Sequence, residues 1–474
     1  MSFDPVKVEA EINDWFFVEY FDRWVAKGAG ESEDDPEFIV QYWNNPMFVC
    51  APPITKVWLQ SDEHVALFFQ AQQEQLQAFG YTHTDIPDRR ITVFTADSGE
   101  IDVIWSRCAG DREIERLIVN FQVTRLVDKW KVVGVHSKYT SADTVDEAWA
   151  GPEGTGPLSA SNEGRMDPSN LAPELRDALS LVPNLPFSVP AMIPVGRALY
   201  EFFTLKHPDR DVNVREVKLD DTFLRVIEPQ ENKSGAAVLW IHGGGLVSGR
   251  ANQLNEGASK LAKMTGATVV TVNYRLAPEH PFPAAHDDCY AAWRWIQNNA
   301  DALGIDPARV GLVGNSAGGG LTAALAQRIL DDGAAQPVCQ VLFYPMLDDR
   351  TATDTSLDDV GHYVWGNRDN RTAWNAYLAP NEAGAAELPA YASAARRENL
   401  EGLPPTWLGV GSIDLFSAEG LTYANRLKSS GVPVEVVTPE GAPHAFEAIV
   451  PTAGMSQQFV GAGLMFLAKA LAPK

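Results

Sequence analysis

The sequence predicts an α/β protein built on an eight-stranded, mostly parallel sheet, with a separate α+β domain ahead of it. Three observations carry this. From about residue 206 to the end of the 474-residue chain, strand-like and helix-like patterns alternate, as in a sheet joined by helical crossovers. A stretch without periodicity, GPEGTGPLSASNEGR from Gly151 to Arg165, separates that region from the first third and reads as a linker over 151–165. Two glycine-rich segments, Ile241-His242-Gly243-Gly244-Gly245 and Gly314-Asn315-Ser316-Ala317-Gly318, each follow an apolar run, as strand-end motifs do.

In residues 1–150, Ile12, Phe16, Tyr20 and Trp24 share one helical face. Val65, Phe69, Gln72, Leu76 and Phe79 mark a second helix. Strands are expected at Ile91–Thr95, Ile101–Trp105, Leu117–Val123 and Trp130–Val135, where Leu117, Val119, Phe121 and Val123 alternate strictly. Turn residues at Asp97-Ser98-Gly99 and Asp128-Lys129 suit hairpins. The expected arrangement is helices first, then an antiparallel sheet curved around a long helix. The seven tryptophans of this region read as core. His83, Asp85 and His136 are candidate pocket acids and bases, with surface or structural roles the expected ones. This order of elements over about residues 5–145, with Trp130 opening the last strand, resembles the cone-shaped nuclear-transport-factor-2-like (SnoaL-like) fold. The resemblance implies an accessory domain and leaves open ligand sensing or a second activity.

Beyond the linker, Leu171 to Leu181 and Met192 to Phe203 are expected to be helical and to form the N-terminal part of a cap, 166–205. Strands are expected at Val212–Leu219, Phe223–Ile227, Ala237–Ile241, Thr268–Asn273, Val310–Val313, Cys339–Phe343, Thr406–Val410 and Val434–Thr438, with helices between most of the later ones. Asp349 to Pro380 interrupts this alternation and reads as an insertion over the active site, near 350–380, within a catalytic domain of 206–474.

Gly314–Gly318 has the form G-x-S-x-G between a strand-like and a helix-like run, the setting of a nucleophilic serine. The glycines after His242 let backbone N–H groups approach an oxyanion. A serine needs a base, and the base an orienting acid. His242 belongs to the glycine segment, and His280 and His286 to a proline-rich loop and the helix after it. His444 follows the last strand, where a loop reaches the elbow, and is the expected base. Asp414 follows the preceding strand and is the expected acid, with Asp348 and Asp349 as runners-up. The chain order Ser316, Asp414, His444 is that of an α/β-hydrolase.

With these motifs, the run Tyr274-Arg275-Leu276-Ala277-Pro278-Glu279-His280-Pro281-Phe282-Pro283-Ala284-Ala285 resembles the hormone-sensitive-lipase-like (bacterial family IV) esterases over about residues 166–474. The resemblance implies an α/β-hydrolase fold with a helical cap, serine esterase activity and no cofactor. It implies Ser316 as nucleophile, Asp414 as acid and His444 as base, with N–H groups of Gly244, Gly245 and Ala317 forming the oxyanion hole. Asn315 stands where the family has Asp or Thr. Asp414-Leu415-Phe416 replaces Asp-Pro-Leu, and Phe416 is expected to narrow the pocket. Relatives that became receptors lost the base, which this chain keeps. The alternatives are a diverged ligand-binding or sensing protein on the same scaffold, or a bifunctional chain.

The formal net charge of −24 argues against nucleic acid or an anionic membrane as partner. A small-molecule ester is the expected partner; the acidic first third reads as a solvated face, and its domain is expected to pack on the hydrolase domain or to mediate a homodimer. No metal-binding motif such as H-E-x-x-H is present, so no metal is expected. Four scattered cysteines, and no signal-peptide pattern in the first fifteen residues, predict a cytoplasmic protein.

Overall fold

The computed structural model describes residues 3–51, 54–151, 165–180, 182, 187–188, 190, 193–204 and 207–473. Most of the expected linker, 152–164, and parts of the expected N-terminal cap segment, Met192 included, lie outside the described residues. The chain forms two compact units: Met1–Ser161 with Pro194–Phe202, and Asn162–Ile193 with Phe203–Lys474. Most of the helix Ile193–Thr204 thus groups with the first unit.

The first unit holds strands β1 (Trp43–Ala51), β2 (Ile54–Leu59), β3 (His83–Asp85), β4 (Arg89–Thr95), β5 (Ser98–Ala109), β6 (Arg112–Leu126) and β7 (Lys129–Tyr139). Their order is β2-β1-β7-β6-β5-β3, with β4 also paired to β5. Ile12, Phe16, Tyr20 and Trp24 are all buried. A π-helical stretch, Asp14–Tyr20, widens the turn and keeps this four-residue spacing on one face. Phe16 meets Phe121 at 4.8 Å and Trp24 meets Trp105 at 5.0 Å between ring centroids, so the helical face packs on β5 and β6.

Two features differ from the expected arrangement. The β1–β2 hairpin precedes the helix Asp62–Ala78, and β1 runs parallel to β7, so the sheet is mixed. The run Trp43–Ala51 contains Pro46, which argues against a strand in sequence. In the structure Pro46 falls where the β1–β7 register shifts, between Trp43 and Phe48, so the missing N–H breaks no regular ladder. In addition, β5 is buried along both faces rather than one. The helix Val145–Ala150 covers its second face, where Val145 and Ala148 pack on Ile104 and Ile118.

The second unit holds β8 (Val212–Lys218), β9 (Phe223–Pro229), β10 (Ala237–Ile241), β11 (Thr268–Val272), β12 (Val310–Asn315), β13 (Gln340–Phe343), β14 (Thr406–Gly409) and β15 (Val434–Val437). They form one eight-stranded sheet in the order β15-β14-β13-β12-β10-β11-β9-β8. Only the β8–β9 and β9–β11 pairs are antiparallel. The central strands β10, β11, β13 and β14 are buried at every residue, because helices cover both faces of a parallel sheet. Among the described residues, no helix is long and apolar enough to cross a membrane.

Candidate active site

Strand register assembles the site. Asn315 ends β12 opposite Phe343 of β13, Phe343 lies opposite Gly409 of β14, and Gly409 lies opposite Val437 of β15. The chain therefore leaves these four strands along one rim of the sheet. Ser316 follows β12 at once, and Asp414 and His444 lie in the loops after β14 and β15. This rim is where an open α/β sheet binds its ligands.

Ser316 sits between β12 and the helix Ala317–Asp331 with φ 54° and ψ −122°, a left-handed conformation costly for a residue with a side chain. Surrounding bonds impose it: Ser316 N–H donates to Phe343 O at 2.9 Å, and Ser316 O accepts from Met346 N–H at 3.0 Å. Close approach explains Gly318, since a Cβ there would lie 2.3 Å from the carbonyl oxygens of both Ile241 and His242. The absent side chain brings the elbow against the end of β10. On the facing turn, Gly244 and Gly245 have φ of 123° and 62°. A Cβ on Gly245 would lie 2.3 Å from the ring of Trp365, so the Asp349–Pro380 segment reaches the glycine turn.

The three separated residues meet. Ser316 Oγ lies 2.8 Å from His444 Nε2, and His444 Nδ1 lies 2.9 Å from Asp414 Oδ2. The other Asp414 oxygen accepts from Phe416 N–H at 2.9 Å. With the Asp414 carboxylate buried, the ring proton belongs on Nδ1, and the Nε2 lone pair faces the serine hydroxyl. That arrangement can take the hydroxyl proton as the oxygen attacks an electrophile.

Phe416 does not line an open pocket: it is fully buried and meets the His444 ring edge-on at 5.2 Å. Tyr344 meets the same imidazole edge-on at 4.8 Å. Asn315 accepts from Trp240 Nε1–H at 2.6 Å and donates to Tyr344 Oη at 3.2 Å. Tyr344 Oη–H donates in turn to the buried Glu447 carboxyl. Asn315 can both accept and donate, and this chain of bonds uses both functions.

The remaining candidates have other surroundings. Asp349 is buried in a two-point ion pair with Arg396, at 2.7 Å on each oxygen. Asp348 pairs with Arg350. His242 stacks on Tyr274 at 4.1 Å, its Nδ1–H donates to Gly243 O at 2.8 Å, and burial pushes its pKa down to about 4. It is thus a neutral part of the glycine turn. His286 is likewise buried and lowered to about 4, stacked on Tyr391. The run around Arg275 is anchored by Asp288, which accepts from Arg275 N–H, Nε–H and Nη2–H. No sequence motif marks His362, which the insertion brings within electrostatic range of Asp414 and His444; burial lowers its pKa. No motif marks Tyr344 or Glu447 either. In the first unit, His83 and Asp85 are exposed, and His136 lines an open polar cleft with Arg90, Glu100, Asp102 and Trp149.

Comparison with known proteins agrees with this architecture. A family model described as an alpha/beta hydrolase fold matches residues 238–448, and one described as an NTF2-like protein matches residues 10–140. Esterase LipI of Mycobacterium tuberculosis is 36% identical over 222 residues, covering 46% of this chain and 68% of the relative. Carboxylesterase NlhH of the same species is 36% identical over 242 residues, covering 49% of this chain and 73% of the relative. Among solved structures, a bacterial heroin esterase superposes with a TM-score of 0.60 at 33% identity, covering 64% of this chain and 99% of its own. With this relatedness, its sheet order and its elbow at the strand rim, the chain belongs to the hormone-sensitive-lipase-like family of α/β-hydrolases and is a carboxylic ester hydrolase that carries an NTF2-like domain at its N-terminal side.

Proposed function

We propose that Ser316, His444 and Asp414 are the nucleophile, base and acid of a serine carboxylesterase acting on short- to medium-chain acyl esters. The single observation that supports this best is the hydrogen-bonded line from Ser316 Oγ through His444 to Asp414, at 2.8 and 2.9 Å. Ser316 attacks the ester carbonyl while His444 Nε2 takes its proton. Asp414 stabilises the imidazolium, and the N–H groups of Gly244, Gly245 and Ala317 receive the oxyanion. His444 then protonates the departing alcohol, and water repeats the cycle on the acyl-enzyme. The preference for shorter acyl chains draws support from Trp365, whose ring closes on Gly245 beside the elbow.

The NTF2-like domain is assigned an accessory role without ester hydrolysis of its own, because the second unit carries all three triad residues. A cytoplasmic location draws support from four free cysteines, which suit a reducing compartment.

Ser316→Ala tests the reading. It keeps the wild-type circular dichroism and loses ester turnover by a factor on the order of a thousand or more. A fluorophosphonate probe labels Ser316 in the wild type. Wild-type turnover in Ser316→Ala, or labelling at another serine, refutes the assignment. Initial rates on aryl esters of graded acyl length then test the chain-length preference.

A further inference from the structure

In the NTF2-like unit, β3 and β5 bring together three side chains of different ligand chemistry. His83 and Asp85 are two residues apart on β3 and so face one side of the sheet. The strands pair antiparallel, with His83 directly opposite Cys108. A ligand atom from each of His83, Asp85 and Cys108 lies within 4.8 Å of the other two, and His83 Nε2 stands 3.8 Å from Asp85 Oδ2. Around a tetrahedral zinc with bonds of about 2.0–2.3 Å, ligand atoms stand roughly 3.3–3.8 Å apart. Small side-chain rotations therefore suffice to close the site.

Thr82 supplies a second, independent observation. Its hydroxyl donates to Cys108 O at 3.2 Å, accepts from Gly110 N–H at 3.0 Å and lies 2.9 Å from His83 Nδ1. The Thr82 hydroxyl holds the His83 ring at Nδ1, which leaves Nε2 on the side of Asp85. Metal-bound histidines are commonly held in this way, with the far ring nitrogen against an oxygen partner.

We propose that His83 Nε2, an Asp85 carboxylate oxygen and Cys108 Sγ form a binding site for a late first-row divalent cation, with zinc the best fit. A set of one imidazole, one thiolate and one carboxylate suits zinc or cobalt and disfavours magnesium and calcium, which take oxygen ligands. Three protein ligands leave the fourth position to water, which reaches the site because the His83 and Asp85 side chains are 47% and 68% exposed. Binding converts the Cys108 thiol to a thiolate, and its proton passes to solvent. The metal would clip the short β3 strand to the long β5 strand and stabilise that edge of the sheet.

Cobalt titration of the full-length, chelator-treated protein tests this. The expected result is a thiolate-to-cobalt charge-transfer band that saturates at one equivalent and is displaced by zinc. His83→Ala and Cys108→Ser each remove the band. Cys50→Ser, which changes the partly exposed thiol on β1, leaves it intact. Thr82→Val weakens binding about tenfold by removing the outer hydrogen bond. The exposed His83 can be replaced without disturbing the core, so His83→Ala decides the matter even if Cys108→Ser fails to fold. Absence of the band in the wild type, or its survival in His83→Ala, overturns the proposal. Ester turnover is unchanged in His83→Ala.

Discussion

Asp414 and Asp349 both follow strands of the parallel sheet and both are buried, yet their partners separate them. Asp414 meets His444 at 2.9 Å, whereas Asp349 spends both oxygens on Arg396. Asp414→Asn is expected to lower turnover by roughly 10³–10⁴, because the wrong tautomer of His444 then faces Ser316. Asp349→Asn is expected to lower stability with little effect on turnover per folded molecule. Steady-state kinetics and urea melts on the two variants separate these outcomes, and a larger kinetic loss at Asp349 would reassign the acid. Glu447 carries a pH signature. Burial raises its pKa from 4.5 to about 6, against the Tyr344 hydrogen bond, which lowers it. Below pH 4.5 both folded and unfolded states hold the proton, and there is no penalty. Between 4.5 and about 6 the unfolded state releases its proton first, so this group's contribution to stability falls as pH rises. Above that window the cost is constant, about 2 kcal/mol at 1.36 kcal/mol per pKa unit. Glu447→Gln, which still accepts from Tyr344, is therefore expected to be more stable than wild type above pH 6 and equal to it below pH 4.5. Denaturant titrations at pH 4 and 8 check this.

At the scale of elements, the elbow depends on an approach that only a missing Cβ permits. Gly318 lies in the first turn of the helix Ala317–Asp331, with the carbonyls of Ile241 and His242 where a side chain would begin. Both neighbours are backbone atoms of a central strand end, so neither can turn aside. Gly318→Ala is expected to displace the helix start, and with it Ser316, and to reduce turnover by about a hundredfold or more, since misplacement by about 1 Å costs that much. Fluorophosphonate labelling rates report the displacement directly. Wild-type labelling in Gly318→Ala would show that the elbow adjusts.

For the whole molecule, the division into units sets the prediction. Pro194–Phe202 groups with Met1–Ser161 across the intervening segment. A cut at the linker therefore takes these residues from the unit they pack with and leaves them on the hydrolase fragment. Expressed separately, residues 1–150 are expected to show no ester hydrolysis. Residues 166–474 are expected to carry all of it but to melt at a lower temperature, because the cut exposes apolar surface. Equal melting of the fragment and the full chain would show that the first unit contributes nothing to the second.

The sequence alone determined the strand alternation of the second unit and the place of the turn that carries Ser316, and it pointed to the two residues that lie in hydrogen-bonded line with that serine. Those features rest on local pattern: continuous apolar runs bounded by turns, and small residues where backbone segments crowd. The helical face of Ile12, Phe16, Tyr20 and Trp24 was legible for the same reason. Tertiary structure decided what depends on neighbours distant in the chain. Pro46 disguised β1 because its tolerance rests on a register shift against β7, more than eighty residues later. Burial of both faces of β5 awaited the helix Val145–Ala150. Phe416 looked like a pocket wall and became a support for His444, and Asn315 acquired its role from Trp240 and Tyr344. Periodicity records which face of an element is apolar. It does not record which residue from elsewhere in the chain will lie against that face, and here those long-range neighbours set the surroundings of His444.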